Sequence, residues 1–506
     1  MSEIKVGVIL NYISLALRFA VGFFLSPFVL AYLGPSEYGV YMIAGSIISW
    51  LAMCDFGLTA STTKFLSEYQ AKGDTEGEAH YLGNVAALFT IVGIVVLAAG
   101  LCIFPFLGDI FDKFTAEELR IYRILYLMTL FNCALMFPGR SLEGIASSRQ
   151  KFKYPGFVGL TASILSIVGT ITLLLLGYRS IALTALSISL GILGLVWNVF
   201  YCFHILKARM TWRGWDWSLC RTLFAFSVWM FLDRLINIMN TGSGGFIIGM
   251  TQGADEVTVY SYGLTIFQHF FTLSGCIAGL FLPRVVGMVV KGASNTEQTN
   301  LMIRIGRVQL IILGVVYFGI ILFGQEFFTL WIGDTLGART VDCWFVTIAI
   351  LIPYGFLLLQ ALGWQILQAR NAMKYRVTVM TVSSFLSMVA GYFLSIYWGC
   401  RGLAIGTCIS VILGQGLFMN WFYWKRLGLE IPRFFTETLQ KAWLWVPILL
   451  ATAWGLNTLF ATPAWPTFLA KVAVFTLVYV IALLLLYLNQ DEHKLFLSKL
   501  TKTKQQ

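Results

Sequence analysis

Runs of apolar residues long enough to cross a lipid bilayer recur along almost the whole chain. About 20 apolar residues cross the hydrocarbon core as a helix. Only 12% of the residues are charged, about half the share found in soluble domains. The sequence therefore predicts an all-α polytopic membrane protein with about 14 transmembrane helices. The predicted spans are roughly 5–33, 38–60, 81–107, 121–146, 156–177, 181–205, 223–249, 257–282, 304–332, 343–369, 377–398, 402–424, 442–461 and 467–488.

The basic residues are distributed unevenly between the two sides of the predicted membrane. With the N-terminus placed in the cytoplasm, 25 of the 35 Lys and Arg residues lie in cytoplasmic segments and 5 in the opposite loops. The other five, Lys471 among them, lie within or at the edge of spans. Cytoplasmic loops carry such an excess of positive charge, so both termini are predicted to be cytoplasmic. Topology thus accounts for the net charge of +11, and we expect no nucleic-acid partner.

The sequence lacks the usual signatures of enzymes and metal sites. Its nine cysteines are scattered without a CxxC pair or a histidine cluster, so neither zinc nor a disulfide framework is expected. The GxxxxGK[ST] phosphate-binding loop is missing from the sequence, as are GxSxG and HExxH. The loops are also too short to house a soluble catalytic unit. We therefore expect a protein that is not an enzyme and that binds neither cofactor nor metal.

Three short segments recur at an offset of about 220 residues, each at a loop between helices. The aligned pairs are GPSEYGVY (34–41) with GADEVTVY (253–260), IASSRQKFKY (145–154) with ILQARNAMKY (366–375), and GYRSIA (177–182) with GCRGLA (399–404). The first six spans and the next six therefore form two copies. Because each copy has an even number of helices, both have the same orientation, a parallel repeat of the kind found in transporters.

This repeat defines the predicted domains. They are an N-terminal six-helix lobe at 1–210, a C-terminal six-helix lobe at 211–430, and two extra helices with a basic cytoplasmic tail at 431–506. Two similar bundles around a central cleft are typical of a transporter. A polytopic glycosyltransferase or polymerase is the alternative from another class, but such an enzyme should have a sizeable extramembrane loop.

The turn between the first two spans contains a recognisable motif. LG-x-x-EYG-x-Y precedes span 2, and D-x-GL followed by K-x-x-x-E-x-x-x-x-GD lies within residues 55–74. Together with SSRQKFKY (147–154) and the overall hydropathy pattern, this chain resembles the Wzx-type oligosaccharide flippases of the multidrug/oligosaccharidyl-lipid/polysaccharide exporter superfamily. The resemblance implies that undecaprenyl-diphosphate-linked oligosaccharide moves by alternating access from the cytoplasmic to the outer leaflet of a bacterial inner membrane.

The resemblance also implies a biological setting and a set of partners. The expected role is assembly of surface polysaccharide: the O-antigen of lipopolysaccharide, capsule or exopolysaccharide. The expected partners are the lipid-linked oligosaccharide, membrane lipids, and polysaccharide polymerase or assembly proteins. Two alternatives within the superfamily stay open, a cation-coupled multidrug exporter and a lipid II flippase. Coupling to H⁺ or Na⁺ also stays open.

Two arginines lie inside predicted spans, on polar helix faces. Arg18 shares a face of span 1 with Asn11, and Arg234 shares a face of span 7 with Asn237. A charged side chain within the membrane faces protein or water, and a guanidinium stays ionised and offers paired donors to phosphate oxygens. We predict that both arginines bind the diphosphate and that Asn11 and Asn237 contact the substrate beside them.

Four further charged residues in or near the spans are predicted to form ion pairs. Asp55 lies near the cytoplasmic end of span 2, and Arg140 and Glu143 lie near the same end of span 4. Asp233 adjoins Arg234. Arg140 and Glu143 are three residues apart and can pair along a helix. We interpret these four as an inner gate or as structural pairs; under the structural alternative Asp55 or Asp233 pairs with the two span arginines.

Three uncharged polar residues complete the predicted substrate contacts. His269 lies near the middle of span 8, where an imidazole can carry a proton, contact a sugar or serve as a core residue. Gln360 and Gln368 lie on one line of span 10 with Trp364. Amide and indole groups suit sugar hydroxyls, although glutamine also links helices by hydrogen bonds.

Overall fold

Helices account for every regular element in the part of the chain that the structure describes. The computed structural model describes residues 3–56, 58–149, 153–211, 214–217, 221, 223, 231–232, 235–236, 238–239, 242–279, 281–370, 372–460 and 462–487. All regular elements in these stretches are α-, 3₁₀- or π-helices. The predicted all-α class is therefore confirmed.

Eighteen α-helices are seen in the described residues. They are α1 Glu3–Ala52, α2 Leu58–Lys72, α3 Thr75–Ile103, α4 Leu107–Ile110, α5 Ala116–Ser148, α6 Lys153–Leu175, α7 Ser180–Phe200, α8 Ser243–Thr251, α9 Ala254–Gly279, α10 Leu282–Val290, α11 Asn295–Leu336, α12 Thr340–Leu358, α13 Ala361–Ala369, α14 Met373–Val411, α15 Asn420–Lys425, α16 Ile431–Thr438, α17 Ala442–Leu459 and α18 Trp465–Ala482. A π-helical turn, Leu483–Tyr487, follows the last of them.

Many of these helices are long and apolar enough to cross a membrane. Nine such segments occur among the described residues. Two of the nine, Asn295–Leu358 with 64 residues and Met373–Lys425 with 53, each cover two predicted spans. The multi-pass architecture is thus confirmed, and the fourteen predicted crossings fit it, while their exact number stays a prediction.

Glycines with positive φ mark turns between adjacent spans. Gly34 has a φ of 78° inside α1 and is followed by Pro35. Gly399 has a φ of 56° inside α14. Only glycine adopts such angles without steric strain, so α1 and α14 each consist of two helices joined at a kink.

The chain forms two compact units. The first comprises residues 1–261 and 384–407, and the second comprises 262–383 and 408–506. In the first unit, α5 packs against α1, α3 and α7. In the second unit, α11 packs against α12, α16 and α18. The lobes at 1–210 and 211–430 and the tail at 431–506 are defined by the sequence repeat and stay a prediction.

Candidate functional site

The residues predicted to bind the diphosphate fall mostly outside the part of the chain that can be described. The backbone of α1 includes Asn11 and Arg18, but their side chains lie outside the described residues. Asp233, Arg234 and Asn237 also lie outside them. The predicted diphosphate site therefore stays a prediction.

Asp55 and Arg140 are brought together from different helices of the first unit. Asp55 ends a 3₁₀ turn, Met53–Asp55, that interrupts the second span. Its side chain is 1% exposed, and its Oδ2 lies 3.3 Å from Nη1 of Arg140. The Arg140 guanidinium also lies 5.2 Å above the ring of Phe137 on its own helix. Glu143 is exposed, whereas Asp55 gives Arg140 a partner from another helix.

The backbone beside this ion pair is in an unusual conformation. Phe56 directly follows Asp55 and has a φ of 48°, in the left-handed region that residues other than glycine seldom adopt. The side chain of Phe56 packs against Phe231, with ring centroids 4.9 Å apart. The buried pair thus lies at a break in a membrane span, a place where the chain can change direction.

The polar residues predicted on span 10 lie on α13 and at its N-terminal cap, with different degrees of burial. Helix α12 ends at Leu358 and α13 begins at Ala361, so Gln360 lies at the N-terminal cap of α13. Gln360 is buried, and its Nε2 donates to Oδ1 of Asn420, 2.8 Å away. Gln368 is exposed. The structure therefore gives Gln360 a helix-linking contact.

His269 and Trp364 occupy different surroundings within the second unit. His269 lies on α9 and is half-buried. The indole of Trp364 on α13 lies beneath the guanidinium of Arg376, whose Cζ is 4.7 Å from the ring centroid. Arg376 was missed by the sequence analysis because its place on the indole depends on the packing of α13 against α14. A guanidinium on an indole is a favourable cation–π arrangement.

The EYG motif is explained by a helix cap and a close backbone approach. The carboxylate of Glu37 accepts hydrogen bonds from Arg179 Nη1 (2.8 Å), Ser180 N (3.1 Å) and Ser180 Oγ (2.6 Å). This places a negative charge at the N-terminus of α7, where the helix dipole favours it. A Cβ on Gly39 would collide with the carbonyl oxygen of Ala254, so the motif requires glycine there.

The second repeat contains the same cap. Glu256 aligns with Glu37, and its Oε1 accepts a hydrogen bond from Cys400 N, 3.0 Å away. Cys400 begins the second half of α14, directly after the kink at Gly399. A glutamate from the turn after the first span of each repeat thus caps the sixth.

A second pair of equivalent contacts surrounds the arginines of the SSRQKFKY motif and its copy. In the first unit, Arg149 Nη2 lies 3.0 Å from Glu78 Oε1, and Arg149 also donates to the carbonyl of Leu206. In the second unit, Arg370 Nη2 lies 2.7 Å from Gln298 Oε1, and its Nη1 donates to the carbonyl of Leu427 at 2.9 Å.

The ring beside each arginine also recurs. Tyr154 stacks on Tyr201 with ring centroids 3.5 Å apart, and Tyr375 stacks on Phe422 at 3.9 Å. Burial lowers the pKa of the Arg370 guanidinium below its ordinary value. Glu78 and its counterpart Gln298 were missed by the sequence analysis, although their spacing of 220 residues matches the repeat.

These contacts assign a scaffolding role to the recognisable motifs. The glutamates that cap helices, Glu37 and Glu256, fix helix ends near the loops. So do the arginine corners, which are the contacts of Arg149 and Arg370 with a polar side chain and a loop carbonyl. Within the described stretches there is no group of three or more His, Cys, Asp or Glu residues placed to hold a metal ion. Among the predicted charged site residues, the described structure joins Asp55 with Arg140.

Comparison with known proteins identifies relatives along most of the chain. The family described as "Polysaccharide biosynthesis protein" matches residues 29–335. The "Putative O-antigen transporter" of Shigella flexneri is 23% identical over 403 residues, which cover 77% of this chain and 90% of that protein. The protein of the same description from Salmonella typhimurium is 22% identical, with 76% of this chain and 88% of that protein covered.

Solved structures of two transporter types share the fold. "Lipid II flippase MurJ, inward closed conformation" aligns with a TM-score of 0.73 and 17% identity, covering 94% of this chain and 97% of that one. An inward-facing multidrug resistance MATE family transporter of the MOP superfamily aligns with a TM-score of 0.61 and 13% identity, covering 82% and 95%. At such identities the likeness establishes the fold alone.

Proposed function

The chain belongs to the polysaccharide biosynthesis protein family, and on this premise we propose that it is a flippase for a lipid-linked oligosaccharide. The observation that supports this proposal most directly is the match to two relatives described as O-antigen transporters, along about three quarters of this chain. The multi-pass helical fold, shared with a lipid II flippase, is suited to the same task. Surface polysaccharide assembly is the proposed setting.

The proposed substrate is an oligosaccharide on undecaprenyl diphosphate. It moves from the cytoplasmic to the outer leaflet of a bacterial inner membrane, and both termini of the protein lie in the cytoplasm. The excess of Lys and Arg in one set of loops supports this orientation. Polysaccharide polymerase and assembly proteins are proposed as partners on the outer side.

Arg18 and Arg234 are proposed to bind the diphosphate. Their permanent charge and paired N–H donors match phosphate oxygens. Asn11 and Asn237 share their helix faces and supply further donors. The polyprenyl chain stays in lipid, because its transfer into a polar cleft would expose apolar surface to water.

His269, Gln360 and Gln368 are proposed to contact the glycan. Of these, Gln368 is exposed and free to meet a sugar directly. Gln360 already donates to Asn420, so a sugar hydroxyl would have to replace that acceptor. Gln368 is therefore the stronger of the two glutamine candidates.

Alternating access is the proposed mechanism, and the ion pair Asp55–Arg140 is proposed as part of its inner gate. Its burial at a break in a membrane span supports that role. Glu143, one turn along α5 from Arg140, and Asp233 are proposed as the carboxylates with which arginines pair instead when the cavity opens to the other side. Such an exchange keeps each buried charge paired throughout the cycle.

The test is complementation of a flippase-deficient bacterium by the wild type, Arg18→Ala and Arg18→Lys. We expect the wild type to restore surface polysaccharide and Arg18→Ala, present at normal membrane level, to fail. Arg18→Lys reports whether charge suffices without paired donors. Arg120→Ala is the matched control, since Arg120 is exposed near the start of α5, and it should complement.

Two outcomes would contradict the proposal. If the wild type leaves the flippase-deficient strain without surface polysaccharide but supports growth of cells depleted of their lipid II flippase, the substrate is lipid II. If Arg18→Ala complements fully, the arginine only packs helices and the diphosphate site lies elsewhere.

A further inference from the structure

A buried charged contact joins three helices of the second unit. Lys471 on α18 is only 3% exposed, and its Nζ lies 2.6 Å from Oε2 of Glu326 on α11. The same Nζ lies 3.3 Å from Oδ1 of Asn457 on α17. Removing one partner of a buried ion pair typically costs about 3–5 kcal/mol, because the other charge is left uncompensated. Burying either charge alone would therefore destabilise the fold, and the attraction between the two charges offsets part of that cost.

A second polar contact lies two turns further along α18. The hydroxyl of Tyr479 donates to the carbonyl oxygen of Leu310 on α11, 2.6 Å away. A Cβ on Gly314 would collide with that hydroxyl. Glycine at this position thus makes room for the tyrosine, and the contact fixes one surface of α18 against one surface of α11.

A third polar contact ties the π-helical turn after α18 to the N-terminal half of α11. Arg307 is 3% exposed, and its Nη2 donates to the carbonyl oxygen of Tyr487 at 2.9 Å. Its Nη1 donates to the carbonyl oxygen of Glu437 at 3.0 Å. The guanidinium also lies 4.2 Å above the Tyr487 ring, which adds a cation–π contact.

The three contacts together extend across the thickness of a bilayer. From Arg307 to Glu326, α11 rises about 28 Å at 1.5 Å per residue, close to the hydrocarbon thickness of about 30 Å. Their order is antiparallel, because positions 307, 310 and 326 meet 487, 479 and 471 in turn. Sliding α18 by one helical turn would break all three at once.

We propose that Lys471, Tyr479 and Arg307 are positioning residues that lock the last two helices, α17 and α18, onto α11 in one register. The locked helices then move with α11 as a single body throughout transport. Apolar residues could hold helices together with less desolvation, so a buried ion pair is best explained by the register that it specifies. The opposite hypothesis is that Lys471 and Glu326 separate during the cycle.

A double-substitution experiment distinguishes the two hypotheses. Lys471→Met leaves the Glu326 carboxylate without its cation, and Oε1 of that buried carboxylate makes no hydrogen bond within the described residues. The thermal midpoint of the purified variant should therefore be strongly lowered. Glu326→Met should lower it likewise, since it strands a buried ammonium. The double variant removes both charges at similar volume, and we expect it to recover the midpoint and to transport within about twofold of the wild type.

The transport readout rests on the proposed function. It uses proteoliposomes containing a fluorescent oligosaccharide on a polyprenyl diphosphate, with quenching of the outer leaflet as the signal. A double variant that is as stable as the wild type but does not transport would show that the pair must open, and would overturn the proposal. Failure of the double variant to recover stability would overturn it too.

A covalent lock supplies a second measurement that does not require the ion pair to be altered. Phe327 on α11 and Phe468 on α18 have ring centroids 6.0 Å apart and are half-buried. Cross-linking of the variant Phe327→Cys/Phe468→Cys with a bifunctional thiol reagent that spans the gap between the two side chains should leave transport unchanged, as should treatment of either single cysteine variant. Loss of transport only in the cross-linked double variant would show relative motion and would overturn the proposal.

Failure of the proposed function gives a different pattern. A wild-type protein that moves no lipid-linked oligosaccharide refutes the flippase assignment. The thermal midpoints of the four charge combinations at positions 326 and 471 still test whether the two buried charges depend on each other, as the lock requires. Recovery in the double variant supports the lock, and its absence overturns it.

Discussion

Removal of the Arg140 guanidinium should destabilise the first unit more than any nearby surface substitution. Arg140→Ala leaves the Asp55 carboxylate, 1% exposed, without the cation that lies against it. Two unit charges 3.3 Å apart attract each other by about 5 kcal/mol at an effective dielectric constant of about 20. The desolvation of both groups offsets part of this attraction.

The net loss is therefore smaller than the Coulomb energy. Breaking a buried pair by removing one partner lowers the free energy of unfolding by about 3–5 kcal/mol. Because the Arg140 side chain is 21% exposed, we expect a loss near the lower end, about 3 kcal/mol. Asp55→Asn should be milder, since the arginine that remains is partly solvated. The double variant Asp55→Asn/Arg140→Ala should be more stable than Arg140→Ala alone.

The assay is the thermal midpoint of the purified protein together with its steady-state level in the membrane. Arg433→Ala is the control, because Arg433 pairs with Glu430 at an exposed site and its loss should leave both readings unchanged. An Arg140→Ala protein as stable as the wild type would refute the reasoning. So would a double variant no more stable than Arg140→Ala, since the harm would then not come from the remaining buried carboxylate.

Two further predictions concern helix packing. Glu37→Ala should lower the free energy of unfolding by about 2 kcal/mol, because charged hydrogen bonds at the start of α7 are lost; Glu37→Gln should lower it less, and equal thermal midpoints for these two variants would contradict the cap. Gly314→Ala should lower the free energy of unfolding by about 1–3 kcal/mol through the clash with Tyr479. Tyr479→Phe should relieve part of that loss. Gly319→Ala is the control on the same helix, because a Cβ there would meet open space, and it should leave the stability unchanged. Equal thermal midpoints for the two alanine variants would show that the clash is absent.

The fold class could be predicted from the sequence because it depends on local properties. Apolar runs of bilayer length identify membrane helices in any tertiary context, and loop motifs at a fixed offset reveal a repeat. Breaks within spans were harder to predict. The end of α12 at Leu358 divides a segment that the sequence predicts as the single span 343–369, and its few glutamines do not indicate where the helix ends.

Partners in buried ion pairs could not be predicted because they are far apart in the chain. Lys471 was placed only at or within a span, and its partner Glu326 lies 145 residues away. Asp55 and Arg140 are 85 residues apart, and the sequence offered Glu143 as a closer candidate for Arg140. Recognising Asp55 as a partner requires the three-dimensional contact between the 3₁₀ turn Met53–Asp55 and α5.

The paired arginine corners point to how such a chain could have arisen. Arg149 and Arg370 keep the same contacts to a residue 71 or 72 positions earlier and to a carbonyl 57 positions later. Copies with the same orientation can descend from a duplicated six-helix ancestor that assembled as a side-by-side homodimer, with no need to invert either half. The occurrence of Glu78 in one copy and Gln298 in the other is a difference that such a history allows, since each joined half has only its own surroundings to satisfy.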